Sequence, residues 1–399
     1  MRIVFYCTEQ EKANASNFFN LATSGTVNDM ILIAEGLSSC GHEVIVLNRS
    51  ASGFYSGVQH FNTESEEQCL EIIHTIKDID IFVANGWAAE IFLKHKIPAI
   101  KNIYWLHNFI NIEPFENAID CGNIDYIFCV SFAHMAYYWR SRHFNRFNYI
   151  FNPIKIKQFN NVVIGKRNKK KIMFIGAPRY SKGFHDALRI FQKVANIYHD
   201  CKLYVAGSAT LHSTSSELGT TGLIEREYED QFVKQYLFNE TGQVKNNIVL
   251  LGKISRNELF EHLANTLLCL QNPSWTSEPE ALSMSVVEAQ AMGVPVVTAF
   301  RGGQDEALVD GKTGFLVKRN NDSSFVKIIL KIIDDEQLSG KMSIAARKHA
   351  FLTYDHVELA RQWAEQFDTL LNHDSFFYKW NFINAVFYKL RNKAVLAIP

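Results

Sequence analysis

The sequence predicts an α/β chain of two doubly wound domains, each a parallel sheet clad with helices, facing each other across a cleft. Three observations predict it. Short β-rich runs alternate with longer helical patterns, the scheme that buries a parallel sheet on both faces. The scheme starts afresh near residue 171, after a polar and basic stretch at 160–171. The length, 399 residues, exceeds one ordinary core and suits two of about 150–200 residues each.

The first series places buried strands at 3–7, 43–47, 81–84, 100–106, 126–130 and 148–151, with helical spacing of apolar residues at 27–39 and 66–77. The second places strands at 171–176, 203–206, 248–251, 267–270 and 295–298. These series define Rossmann-like domains at 1–160 and 161–372, followed by an aromatic and basic tail at 373–399. Sheets of this kind bind ligands outside the carboxyl ends of their strands, so the cleft is the expected site.

Composition excludes several classes. Lys and Arg together equal Asp and Glu at 41 each, so no global field recruits nucleic acid. The cysteines number seven, with no CxxC pair, a pattern of reduced core thiols rather than a disulfide framework. The apolar start at 2–7 is too short for a signal segment, and no run reaches the ~18 apolar residues that span a bilayer. The expected location is cytoplasmic.

The densest chemistry lies from Asn272 to Val317. Residues 283–292 read as a helix stopped by Gly293, with Pro295 opening a buried strand. If Ser283, Met284 and Ser285 form its first turn, their free N–H groups make an anion site suited to a diphosphate. Glu288 lies about one and a half turns further in, where a carboxylate accepts from ribose hydroxyls. Glu280 precedes the helix and reaches toward a sugar. By spacing alone both glutamates also fit solvated charges.

Glu280 and Glu288 with seven residues between them, followed by Ala289 and Ala291-Met-Gly-Val-Pro-Val-Val297, resemble the signature of retaining glycosyltransferases of family 4 (glycosyl transferases group 1). Gly302-Gly303 and Asp310-Gly-Lys-Thr-Gly314 resemble that family's next blocks. Gly176 with Ser181-Lys182-Gly183 resembles its phosphate loop, and Gly207, Gly252 and Asn272-Pro-Ser274 fall in order. In the first half the match comprises Gly25, Gly41, His107, Ser131 and Asn152. The resemblance implies the GT-B architecture, with a terminal helix crossing back to the first domain. It implies a donor site on the second domain, an acceptor site on the first, and no bound metal or cofactor.

Roles follow residue by residue. Lys182 would neutralise the donor diphosphate, Glu288 would bind ribose, and Glu280 a hydroxyl of the transferred sugar. Backbone amides at Ser283, Met284 and Ser285 would cap the phosphates, and the backbone at Gly252 would meet the base. His107 would contact the sugar near the reaction centre, and Gly25 would admit donor or acceptor closely. The implied donor is a UDP- or GDP-sugar and the acceptor a glycan or lipid-linked hydroxyl, in a setting such as bacterial surface polysaccharide assembly. Closure of the domains would keep water from hydrolysing the donor.

Three departures stand out. Ala177 holds the place of the family's arginine after Gly176, with Arg179 the nearest replacement. Ser24-Gly25 has one glycine where a pair is usual. Ala281-Leu282-Ser283 replaces Gly-Phe-Gly. A non-catalytic partner subunit of the same fold is therefore the rival reading, with an epimerase or phosphorylase behind it. Asp78-Ile-Asp80 resembles a metal-binding pair but opens a buried strand, and reads as a turn. The basic run 166–171 reads as a solvated linker. In the tail, Phe376, Trp380, Ile383, Phe387 and Leu390 share one helical face. That face suits packing on the first domain or peripheral contact with an anionic membrane surface.

Overall fold

The computed structural model describes residues 1–18, 24–211, 217–372 and 383–388. The chain forms two compact α/β units. Met1–Lys155 groups with the described residues among 354–388, and Ile156–Thr353 forms the other.

The first unit is built on an eight-stranded sheet. Its strands are β1 (Arg2–Tyr6), β2 (Glu43–Asn48), β3 (Gly53–Tyr55), β4 (Val58–Asn62), β5 (Ile79–Asn85), β6 (Ala99–Leu106), β7 (Tyr126–Cys129) and β8 (Phe147–Tyr149). Their spatial order is β3-β4-β2-β1-β5-β6-β7-β8, and every pairing is parallel except β3 with β4. The central strands are unbroken apolar runs because helices cover both faces.

The β3–β4 hairpin escaped the sequence reading, since its residues are short and mixed in polarity. Its signal was the turn: Ser56 and Gly57 both take positive φ, 48° and 83°, as a two-residue hairpin loop requires.

Helix Gly25–Ser39 covers one face and meets helix His356–Asn372 so closely at Gly36 that a Cβ there would stand 2.5 Å from Ala360 Cβ. Trp363 of the latter helix is fully buried, 4.9 Å from Trp105 and 5.0 Å from Phe128 between ring centroids. This helix therefore belongs to the first unit, not to the second domain that the sequence predicts through residue 372. Residues 383–388 are also helical, with Ala385 in the first unit's core and Tyr388 5.5 Å from Phe132. The tail positions Phe376, Trp380 and Leu390 lie outside the described residues.

The second unit is a six-stranded parallel sheet in the order β11-β10-β9-β12-β13-β14. The strands are β9 (Asn168–Ile175), β10 (Lys202–Ala206), β11 (Ile248–Gly252), β12 (Thr266–Gln271), β13 (Val296–Ala299) and β14 (Gly314–Val317). Phe174, Phe184, Leu268, Val297 and Ile329 are among its buried core residues.

Here two members of the basic run depart from expectation, while Lys166, Lys169 and Lys170 are exposed as expected. Residues from Asn168 onward already form β9, and Arg167 and Lys171 are not solvated. Arg167 donates to the carbonyls of Leu263 (2.8 Å), Met292 (2.6 Å) and Gly293 (2.9 Å), at the ends of two helices, where carbonyls lack the donor four residues on that helix interiors have. Lys171 is buried and donates to His262 O (2.7 Å) and Asn265 Oδ1 (2.8 Å). A run of like charges was the wrong cue, because these side chains satisfy helix C-termini. Among the described residues no helix is long and apolar enough to cross a membrane.

Candidate functional site

In the second unit a pocket of about 230 Å³ opens where β9 and β12 end. Its lining includes Gly176, Ala177, Lys182, Glu280, Ser283, Met284 and Ser285. Lys182 closes a single helical turn, Tyr180–Lys182, that ends on Gly183 at φ +65°. A Cβ on Gly183 would meet Ser274 Cβ at 2.7 Å, so only glycine lets this turn rest on the 272–274 loop. That packing delivers Lys182 to Glu280: Nζ lies 2.6 Å from Oε1.

Glu280 is fixed from behind by Gly302 and Gly303. Gly303 N donates to Glu280 O at 2.8 Å, and a Cβ on Gly303 would sit 2.1 Å from Ala281 O. The glycine pair was legible as a block, but its task of holding the glutamate's backbone was not.

Ser283 is the N-cap of helix Met284–Ala291, with no side-chain cap, and the helix's bonds to Ser283 O begin at Val286 and Val287. Met284 and Ser285 thus head the helix at the pocket wall. A helix N-terminus is a ready anion site. Glu288 lies on the same helix, buried, and outside the lining. It pairs with Arg256, the first residue of helix Arg256–Ala264, whose start is locked by the Ser255–Glu258 capping box. Sequence reasoning missed Arg256. The signal was available in the capping box, which fixes where that side chain begins.

Two further positions fall beside the pocket without lining it. Arg179 turns its Nη2 to Ala209 O at 3.0 Å, so Ala177 is left facing the pocket without a guanidinium in its stead. Gly252 ends β11 at φ +67° and accepts from Gly207 N at 2.8 Å.

His107 and Gly25 lie together in the first unit. His107 follows β6, is 9% exposed, and has Nε2 2.6 Å from Asn85 Oδ1. Asn85 Nδ2 donates to Thr26 O at 2.9 Å, which places Asn85 Oδ1 toward the histidine and the imidazole proton on Nε2. Burial lowers the His107 pKa to about 3, helped by the nearby His134, so the ring is neutral. Gly25 heads its helix, and a Cβ there would meet nothing within 4 Å. Its φ is not positive, so open space in front is its distinguishing feature.

Asp80, weighed as half of a metal pair, accepts from Arg2 N at 2.7 Å inside the sheet, and Asp78 makes the turn at φ +53°. Among the described residues no group of three His, Cys, Asp or Glu could hold a metal ion.

Residues 156–349 match the family Glycosyl transferases group 1. The match coincides with the second unit, which carries the pocket. A capsular polysaccharide biosynthesis glycosyltransferase, CapM of Staphylococcus aureus, is 25% identical over 189 residues, 47% of this chain and 41% of CapM. A D-inositol 3-phosphate glycosyltransferase of Streptomyces avermitilis is 39% identical over 71 residues, 18% of this chain and 15% of the relative. The matched stretches thus span less than half the length of these relatives.

Solved structures extend the likeness to both domains. Anabaena HepE in complex with UDP and glucose superposes with TM-score 0.64 at 18% identity, over 92% of this chain and all of the other. A glycosyltransferase from Rickettsia africae gives TM-score 0.67 at 16% identity, over 94% and 99%. The fold is that of the GT-B glycosyltransferases.

Proposed function

We propose that this protein is a retaining glycosyltransferase that moves a sugar from a nucleoside-diphosphate donor, most simply a UDP-sugar, to a hydroxyl acceptor. The observation that carries the reading is the second-unit pocket, where an uncapped helix N-terminus, a lysine and a carboxylate meet at the ends of β9 and β12. The helix N-terminus and Lys182 suit a diphosphate. In the free protein Lys182 is paired with Glu280, so an incoming diphosphate takes the lysine and releases the carboxylate to a sugar hydroxyl. Glu288, oriented by Arg256, is assigned to the ribose.

Lys182 then stabilises charge as it develops on the leaving diphosphate, the kind of contact that contributes most to rate. His107 is assigned a hydrogen-bonding role toward the sugar, since a ring held neutral, with its one proton on Nε2, has no second proton to give as an acid at working pH. The departing phosphate oxygen is the group left to receive the acceptor's proton, with attack on the same face. The neighbour's UDP and glucose support a UDP-sugar, and the capsular relative supports a role in surface polysaccharide.

Ala177, with Arg179 turned toward Ala209, favours one alternative, a nucleotide-binding subunit without turnover. A panel of UDP-, GDP- and ADP-sugars separates the two. Donor hydrolysis or transfer with at least one of them is expected. Binding without either reaction would sink the catalytic reading.

A further inference from the structure

The first unit holds a pocket that the assignments above leave unused. It lies where β1, β2, β4 and β5 end, and its volume of about 320 Å³ is at the lower end of small-molecule sites, roughly 300–1,000 Å³. Gly86 turns the chain at φ +59° directly after β5 and sets Trp87 on the rim, 58% exposed. An indole left open at the mouth of a pocket presents a broad apolar face with one polar edge.

Three of the four charged lining residues are acidic. Glu64, Glu66 and Glu90 face Arg49 alone among the lining residues. Arg49 is committed to Gln10 Oε1 (2.6 Å) and lies 3.6 Å from Glu64. Glu66 is shared with Lys94 and His95 outside the lining, both at 3.3 Å. At the floor, Thr63 is 3% exposed, and its hydroxyl has no hydrogen-bond partner among the described residues.

We propose that this pocket binds one neutral saccharide unit, stacked by its C–H face on Trp87 and bonded through its hydroxyls to the surrounding carboxylates. Carboxylates accept well from vicinal hydroxyls, and their excess repels phosphorylated or uronic sugars. That the unit belongs to the glycosyl acceptor rests on the transferase reading. That the pocket takes sugar does not.

Saturation-transfer NMR on the full chain tests it, with methyl glucoside, methyl galactoside and glucose 6-phosphate as probes and saturating UDP present to fill the nucleotide site. The neutral glycosides should bind at least about fivefold more tightly than the phosphate ester. Trp87→Ala should weaken them by about tenfold or more, with Trp87→Phe intermediate. Glu90→Gln should narrow the preference against the phosphate ester. Affinity for UDP in calorimetry should be unchanged in all three variants, which also reports that they fold. The proposal is overturned if wild-type protein binds no neutral glycoside, if Trp87→Ala binds them equally well, or if glucose 6-phosphate binds as tightly. Glycoside binding by a chain that fails to bind UDP, GDP and ADP alike would instead sink the transferase reading and leave this site standing.

Discussion

Lys182 and Glu280 form a pair whose members are assigned to different parts of one ligand. The pair is partly exposed, and surface pairs are worth about 0–1 kcal/mol, so a diphosphate can displace the carboxylate. Two residue-scale predictions follow from the competition. Lys182→Ala should lower turnover by about 10²–10³. Glu280→Gln should keep or raise affinity for UDP while lowering transfer, because the lysine is then free for phosphate. Loss of UDP affinity in Glu280→Gln would refute the exchange. Glu288 differs in being buried with Arg256 as partner. Glu288→Ala should weaken UDP binding by about 1.5–3 kcal/mol, the range for hydrogen bonds to a charged group. Unchanged affinity in calorimetry would refute the ribose role.

At the scale of elements, the site depends on how helices and loops are anchored. Arg167 ties the ends of helices Arg256–Ala264 and Met284–Ala291 to the start of β9. The second of these helices carries the assigned diphosphate and ribose groups. Arg167→Ala would leave several buried carbonyls without donors, each costing about 1–3 kcal/mol. Urea denaturation should show a loss of about 2–4 kcal/mol for the second unit; a change below about 0.5 kcal/mol, the scale of an ordinary surface substitution, would mean that water replaces the guanidinium. The strands and the helix from Met284 were legible because their apolar patterns and the Gly293 stop are local signals. The β3–β4 hairpin and β14 were not, since strands of three to five residues carry too few alternations to stand out.

At the scale of the whole molecule, three histidines of the first unit are held neutral by burial. The pKa values of His107 and His134 are lowered to about 3 and that of His60 to about 4. Unfolded histidine titrates near 6.5, so the unfolded chain binds more protons below that pH. The stability these groups contribute is therefore full above about pH 6.5 and is lost as pH falls toward 4 and 3. The slope is up to about 1.4 kcal/mol per pH unit for each ring. The urea midpoint of the first unit should be lower at pH 5 than at pH 7, and equal midpoints would overturn this account. The sequence by itself determined the two-sheet architecture and the order of the blocks from Gly176 to Gly314, because periodicity and turn glycines act over a few residues. Only the tertiary structure decided which charges are ligand candidates and which are struts. Lys182 and Glu280 are 98 residues apart, and Arg256 and Glu288 are 32 apart. Arg167 and Lys171 looked solvated until helix ends arrived beside them. A charge takes its role from the partners that folding brings to it, and no local pattern records who those partners are.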